Sequence, residues 1–410
     1  MSNLQTNLEK YAELTVKVGI NIQKNQTLVV NAPLNSIDFV RLVAKKAYEA
    51  GAKNVHVEWN DEELTLLKYK MAPDEAFHEF PEWKAKGYEK MAEDGAGFLS
   101  IVANNPDLLK GVDPERMANA NKASGKAMDT FRSYVQSDKV AWTVAAAASP
   151  GWAKKVFPQD DEATAVEKLW DAIFAATRVT ENDPVSAWKE HTDNLTAKVQ
   201  TLNEKKYKKL HYTAKGTDLY IELPEKHLWA GAGSENEAGT YFIANMPTEE
   251  VFTAPQKDGV NGTVSSTKPL NYGGTLISNF TLTFENGKII DYKAEEGYET
   301  LKRLVETDEG AAFLGEVALV PHDSPISNSN IIFYNTLFDE NASNHLAIGS
   351  AYAFNLEGGK TMSKEELAKN GLNTSITHVD FMIGSADMNI DGITADGTRE
   401  PLFRDGNWAF

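Results

Sequence analysis

Short apolar runs alternate with helix-length amphipathic patterns through the first half of the chain. The runs predict β-strands at 27–31, 54–59, 97–102 and 140–144. The segments between them predict helices at 36–50, 62–71 and 83–94, the first of them capped by Ser36 and ended by Gly51. Because neighbouring parallel strands need a long crossover connection, this alternation predicts a parallel α/β sheet.

The pattern changes character near residue 210, where polar and apolar residues begin to alternate with period two. Thr217–Leu223 and Leu276–Phe284 both follow this alternation, which is typical of strands with one buried face. The second of these runs meets the segment 288–294 across Asn286-Gly287, the preferred dipeptide of a type I′ hairpin turn. The second half is therefore predicted to be mostly antiparallel β with a few helices.

A charged helical pattern from Pro184 to about Lys206 connects the two halves. We therefore expect an N-terminal α/β domain over 1–200 and a C-terminal domain over 201–410. The predicted fold class is α/β followed by α+β.

The balance of charge excludes one class of partner. Lys and Arg number 41 against 59 Asp and Glu, a formal net charge of −18, whereas a protein that neutralises nucleic-acid phosphates needs a basic face. No run approaches the ~20 apolar residues of a membrane span, and the N-terminus lacks the pattern of a secretory signal. We expect a cytoplasmic protein whose partners are small molecules, cations or peptides.

The chain contains no cysteine, so a metal ion would have to be bound by histidine and carboxylate. A nucleotide site is not expected in the α/β half. The turn that follows the first strand, residues 32–36, lacks the glycines that let a backbone approach phosphate, and a Walker-type Gly-Lys-Ser/Thr is also absent.

Acids occur in unusually apolar surroundings in the second half. Glu249 and Glu250 lie in the stretch 246–255, which is otherwise mostly apolar, and Glu316 is the only charge in 311–320. Burying an unpaired carboxylate is costly, so a cationic partner is expected for such residues. A lone structural acid is the alternative for Glu316.

Histidines occur in the same half. His345 follows Glu340 and precedes Tyr352, while His378 and Asp380 are two apart in a strand-like run, where they would face the same side. Each histidine could instead be a core residue with a local partner. Considered together, imidazole and carboxylate suit Zn²⁺, Co²⁺ or Mn²⁺, and the candidates outnumber the ligands of one tetrahedral ion. Two ions sharing a bridging carboxylate fit that number.

At these residues the sequence resembles the aminopeptidase S and aminopeptidase T family of metallopeptidases, over essentially the whole chain. The matching segments are 245–255, 311–320, 344–349 and 378–380. The resemblance implies metal ligands at Glu250, Glu316, His345, His378 and Asp380. It implies that Glu316 bridges two metals, that Tyr352 is a catalytic tyrosine, and that Glu340 is a ligand or a neighbour of one. It also implies a homodimer with the metals in the C-terminal domain.

The resulting hypothesis is an aminopeptidase that removes N-terminal residues from peptides with two divalent ions per chain, of Zn, Co, Mg or Mn, that activate water. Glu249 is the candidate general base or a partner of the ligands, and Tyr352 is the candidate oxyanion or leaving-group donor. Two alternatives remain. One is another dinuclear hydrolase, either an amidohydrolase or a phosphoesterase. The other is a binding protein for sugars or nucleotides, built on the parallel sheet.

Overall fold

The computed structural model describes residues 3–272 and 275–410, which form two compact units. The first unit contains the residues up to Glu190 together with Gly233–Pro247, and the second contains His191–Ala232 and Thr248–Phe410. As domains, 1–200 and 201–410 stay a prediction.

The helices of the described residues have the following bounds: α1 (Asn3–Leu14), α2 (Ile37–Glu49), α3 (Glu62–Met71), α4 (Glu82–Glu93), α5 (Pro114–Ala127), α6 (Asp129–Gln136), α7 (Pro150–Val156), α8 (Glu162–Ala176), α9 (Pro184–Lys205), α10 (Tyr298–Val305), α11 (Pro325–Ser329), α12 (Thr336–Asp339) and α13 (Lys364–Lys369). None of them has the length and the apolar content that crossing a membrane requires.

The strands have the following bounds: β1 (Thr27–Pro33), β2 (Asn54–Asn60), β3 (Gly97–Val102), β4 (Trp142–Ala146), β5 (Lys209–Ala214), β6 (Thr217–Glu222), β7 (Ala230–Gly231), β8 (Ser234–Glu235), β9 (Tyr241–Phe242), β10 (Val251–Thr253), β11 (Val260–Ser265), β12 (Leu270–Tyr272), β13 (Thr275–Ile277), β14 (Thr281–Glu285), β15 (Lys288–Lys293), β16 (Leu314–Leu319), β17 (His345–Gly349), β18 (His378–Met382), β19 (Asn389–Ile393), β20 (Arg399–Arg404) and β21 (Asn407–Trp408).

The first unit is built on a parallel sheet with strand order β2-β1-β3-β4, which confirms the α/β prediction. Val40, Val43 and Ala47 of α2 are buried, as helical spacing requires of a helix that packs on a sheet. The prediction that the side chain of Ser36 caps α2 is wrong. Ser36 precedes α2, but its hydroxyl donates to the carbonyl oxygen of Pro33 at 2.7 Å instead of accepting a helix N–H.

The second unit contains two large antiparallel sheets, which confirms the predicted change to antiparallel β. One has the order β15-β14-β11-β6-β5-β19-β20-β21, and the other has the order β18-β17-β16-β10-β7. One apolar cluster includes buried residues from both sheets, among them Leu210, Leu282, Val317 and Ile348. The five-stranded sheet carries the side chains of interest.

One predicted strand is broken in two. The run 276–284 becomes β13 and β14 because Asn279 adopts a positive φ of 48°, which interrupts the ladder. The hairpin that follows is confirmed, since Asn286 and Gly287 have φ values of 49° and 80° and join β14 to β15.

Candidate metal centre

Strand pairing brings two of the predicted acids into one row of the five-stranded sheet. Glu316 of β16 pairs with Ala347 of β17, and Ala347 pairs with Asp380 of β18. Residues paired across strands project from the same face. The small side chain of Ala347 therefore leaves space between the two carboxylates.

His345 and Glu250 complete one group of ligand atoms around Glu316. His345 lies two residues before Ala347, on the same face of β17, and its Nε2 is 3.1 Å from Glu250 Oε2 and 3.5 Å from Glu316 Oε1. Glu250 immediately precedes β10, which pairs with β16. The side chains of Glu250, Glu316 and His345 offer ligand atoms that lie within 4.8 Å of one another.

His378 and Asp380 form a second group on the other side of Glu316. His378 Nε2 lies 3.6 Å from Glu316 Oε2 and 3.4 Å from Asp380 Oδ1. These three residues also offer ligand atoms within 4.8 Å of one another. Glu316 thus turns one oxygen to each group.

Backbone carbonyl groups orient both imidazoles. The Nδ1 of His345 lies 3.1 Å from the carbonyl oxygen of Ser343, and the Nδ1 of His378 lies 2.7 Å from that of Ser350. A hydrogen bond from Nδ1–H to a carbonyl leaves Nε2 as the atom with a free lone pair. In both residues Nε2 is the atom that faces the carboxylates, which suits a metal ligand.

The crowding of charge shifts the pKa values of the group. Burial raises the pKa of Glu316, and burial together with the charge of Glu250 raises that of Glu340 well above its usual value. Burial alone would lower the pKa of both imidazoles, but the facing carboxylates of Glu250 and Glu316 raise that of His345 well above its usual value, and the carboxylate of Asp380 raises that of His378 to about 9. The site therefore attracts positive charge.

Burial and an unpaired oxygen show that the residues fit a divalent cation. Glu250 and Glu316 are 8 % and 4 % exposed, and the buried Oδ1 of Asp380 has no hydrogen-bond partner among the described residues. Buried carboxylates without cationic partners are costly, and Lys or Arg forms no ion pair with these three acids in the described ranges. A pair of divalent ions would satisfy the carboxylates and both free imidazole nitrogens.

Glu340 lies beside the two groups and belongs to neither. Its Oε1 is 3.5 Å from the amide nitrogen of the Asn341 side chain, and its pKa responds to Glu250 and Asp380. Glu340 therefore lies near the ligands and outside both groups.

Glu249 contacts two residues that the sequence did not predict as part of the site. Its backbone N–H donates to Asn341 Oδ1 at 2.7 Å, and its Oε2 lies 3.6 Å from His191 Nε2. His191 also lies 2.8 Å from the carbonyl oxygen of Thr248. The sequence contains no motif that marks Asn341 or His191, because both act through contacts far apart in the chain.

Tyr352 lies at the edge of the centre among other aromatic rings. Its ring centroid is 4.9 Å from that of His378 and 5.2 Å from that of Phe354, and Phe252 packs edge-on at 6.3 Å. Burial, and then the charge of Glu316, raises the pKa of Tyr352 well above its usual value. Its hydroxyl therefore stays protonated near neutral pH.

Known proteins resemble this chain along its whole length. The family model described as thermophilic metalloprotease (M29) matches residues 4–408. Aminopeptidase AmpS of Bacillus subtilis strain 168 is 67% identical over 410 residues and covers 100% of both chains. Aminopeptidase 2 of Geobacillus stearothermophilus is 57% identical over 410 residues, which is 100% of this chain and 99% of the relative.

A solved structure has the same fold. Wild-type AmpT from Thermus thermophilus aligns with a TM-score of 0.94 and 43% identity, and the alignment covers 99% of this chain and 100% of that one. Together with the family match and the two relatives, this likeness shows that the chain belongs to the M29 family of thermophilic metalloproteases.

Proposed function

We propose that this protein is an aminopeptidase that removes N-terminal residues from peptides with the help of two divalent ions. The observation that carries the proposal is the pair of histidine and carboxylate groups that share the buried Glu316. The names of the relatives, aminopeptidase AmpS and aminopeptidase 2, support the same activity.

Six residues would hold the ions. Glu316 would bridge them, Glu250 and His345 would complete one site, and His378 and Asp380 would complete the other, with Glu340 as a further ligand or a neighbour of one. When bound, divalent ions of this kind lower the pKa of a coordinated water from about 15.7 towards ~7 and polarise a carbonyl group. Zinc, cobalt, magnesium and manganese are the candidate metals.

Glu249 is our proposed general base. Its carboxylate is 4 % exposed, so little bulk water competes for the proton that it would accept from the attacking water. Asn341 fixes its backbone and His191 lies beside Oε2, and both contacts restrict the position of the carboxylate.

Tyr352 is our proposed hydrogen-bond donor. Its hydroxyl remains protonated, and its ring is packed between His378 and Phe354, so the group is held in place before a substrate arrives. A donor fixed in this way can stabilise the tetrahedral oxyanion or give a proton to the leaving amine.

The assembly and location of the protein belong to the same proposal. We propose a cytoplasmic homodimer that acts on peptides and has neither nucleic acid nor a membrane as a partner. The formal charge of −18 would favour the approach of peptides with a cationic N-terminus.

The test combines metal analysis with a blocked substrate. Purified protein should contain divalent metal and release p-nitroaniline from leucyl-p-nitroanilide, and it should lose this activity on chelation. N-acetylation of the substrate should abolish turnover, because an aminopeptidase requires a free α-amine. Equal rates on free and acetylated substrates would favour another amidohydrolase, and hydrolysis of phosphate esters alone would favour a phosphoesterase. Absence of both metal and activity after incubation with Co²⁺ or Zn²⁺ would contradict the proposal.

A further inference from the structure

A cavity of about 350 Å³ lies in the first unit, against the parallel sheet. It is lined by residues of β1 and β3, the neighbouring strands at which the strand order reverses, since β2 lies on one side of them and β4 on the other. Ligands of open α/β sheets bind at such reversal points, near the carboxyl ends of the strands. The volume is within the range of small-molecule pockets.

A polar row across three adjacent strands borders this cavity, and its Asn31 and Ser100 line it. Asn31 of β1 pairs with Glu58 of β2 and with Ser100 of β3, so the three side chains project from the same face. Asn60, at the end of β2, donates from Nδ2 to Asn31 Oδ1 at 2.5 Å. In the preceding row on the same face, the two residues that line the cavity, Val29 and Phe98, are apolar, and His56 of β2 lies beyond Val29 outside the lining. The polar row thus forms one end of the cavity.

Aromatic rings from the sheet and from two helices also line the cavity. Phe131 of α6 packs on Phe98 with a centroid distance of 4.8 Å and on Tyr88 of α4 at 5.1 Å, and all three line the cavity. Burial, and then the carboxylate charge of Glu58, raises the pKa of Tyr88 to about 12. The hydroxyl of Tyr88 therefore remains protonated and can donate a hydrogen bond.

One cation lines the cavity and has an anion beside it. Lys84 of α4 is a lining residue, and its Nζ lies 2.6 Å from Oε1 of Glu58, which borders the cavity without lining it; each side chain is 27% exposed. The pair is electrically neutral and still reached by solvent, so a ligand can exchange into it. A ligand that carries an ammonium and a carboxylate on one carbon matches this pair, whereas a phosphate would leave Glu58 opposed by like charge.

We infer that this cavity binds a free aromatic α-amino acid, with its ring against Tyr88, Phe98 and Phe131 and its charged groups at Lys84 and Glu58. All of these residues belong to the first unit, so the site does not depend on the metal centre or on the proposed activity. If the activity holds, the ligand is of the same class as a product released from peptides.

Calorimetric titration of the metal-containing protein with L-phenylalanine tests the inference. We expect saturable binding of L-phenylalanine and at least about tenfold weaker binding of L-alanine, which lacks the ring. Phe131→Ala should weaken binding of L-phenylalanine about tenfold or more and leave turnover of leucyl-p-nitroanilide unchanged. Trp83→Ala is the control, because Trp83 is an aromatic residue of α4, the helix that carries Lys84 and Tyr88, but is 74% exposed.

A second comparison isolates the charged end of the ligand. Lys84→Gln should weaken the binding of L-phenylalanine but not that of phenethylamine, which has no carboxylate for Lys84 to bind. Ser124→Phe, which fills the cavity from α5, keeps the test valid should Phe131→Ala fail to fold.

Three results would overturn the inference. One is the absence of binding at about 10 mM L-phenylalanine. The second is binding that survives Phe131→Ala and Ser124→Phe but disappears in Glu316→Gln, since the ligand would then be bound at the metal centre. The third is saturable binding of adenosine in place of the amino acid.

Discussion

Asn341 Oδ1 accepts a hydrogen bond of 2.7 Å from the backbone N–H of Glu249, although the two residues are 92 positions apart. The Asn341 side chain is fully buried, and its Nδ2 donates to the carbonyl oxygen of Leu337 at 3.1 Å. The segment that carries Glu249 and Glu250 is therefore fixed to the turn that follows α12, which also contains Glu340. A single amide positions acids from two distant parts of the chain.

Replacing this amide should impair catalysis more than its effect on stability would suggest. Asn341→Leu leaves the buried Glu249 N–H unpaired, a loss of about 1–3 kcal/mol, and frees the segment that holds two site residues. We expect kcat to fall at least about tenfold in protein that remains folded. Asn203→Leu is the control, because Asn203 makes the same kind of bond to the backbone N–H of Trp229 at 2.9 Å. Similar loss of kcat in both variants would contradict a specific role of Asn341.

Glu316→Gln should abolish turnover and reduce the content of both metals. A neutral amide is a poor bridge between two cations, and Glu316 is the only residue common to the two ligand groups among the described residues. Metal analysis alongside the peptidase assay measures both effects. Glu222 forms a partly exposed ion pair with Lys209. The control variant Glu222→Gln should therefore retain metal and activity. Two ions per chain in Glu316→Gln would show that this carboxylate does not bridge.

Ala347→Leu should displace the ions without touching a proposed ligand. Ala347 separates Glu316 from Asp380 in the same row, so added methylene groups would occupy the space between the carboxylates. Overpacking typically costs about 1–3 kcal/mol, so we expect a folded protein with a lower melting temperature and little bound metal. Leu346→Met, on the opposite face of β17, is the control and should retain metal. Full metal content in Ala347→Leu would refute this geometry.

Tyr352→Phe should keep both metals and lose turnover. Removing one donor to an oxyanion typically lowers kcat by about 10²–10³-fold, while ring packing against His378 and Phe354 is retained. Steady-state kinetics with metal analysis distinguish this result from loss of an ion. Wild-type kcat in the variant would remove Tyr352 from the mechanism.

His227 should make the protein less stable in mild acid. Its side chain is 2 % exposed, its Nδ1 lies 2.7 Å from the carbonyl oxygen of Pro224, and its buried Nε2 has no hydrogen-bond partner in the described ranges. Burial lowers its pKa below 6.5, and the charge of Lys206 adds to this effect against the opposing Pro224 carbonyl.

The sign of the effect follows from the lowered pKa. The unfolded chain takes up the proton first, so the stability contributed by neutral His227 is complete above 6.5 and is lost as pH falls towards the folded pKa. Urea unfolding of wild type and His227→Gln between about pH 7 and pH 5 measures the difference. A difference that does not change with pH would contradict this role.

The spacing of apolar and polar residues was sufficient to predict which half of the chain forms a parallel sheet and which forms antiparallel sheets. Period-two runs and helix-length connections identified the parallel and the antiparallel halves, because burial of one face imposes these spacings whatever the partner. Local chemistry was sufficient for the Asn286-Gly287 hairpin, whose turn depends on two residues. It failed at Asn279, where a left-handed backbone splits a run that reads as one strand.

By itself the sequence determined that metal ligands would be carboxylate and imidazole, since the chain has no thiol, and it indicated the segments that would supply them. Only the tertiary structure decided that Glu316 faces two groups at once, that Ala347 leaves the gap between them, and that Asn341 holds Glu249. The cavity lined by Phe131 also forms only when distant segments of the chain pack together. The physical reason is that register and side-chain packing depend on contacts between distant residues, which spacing along one chain does not encode.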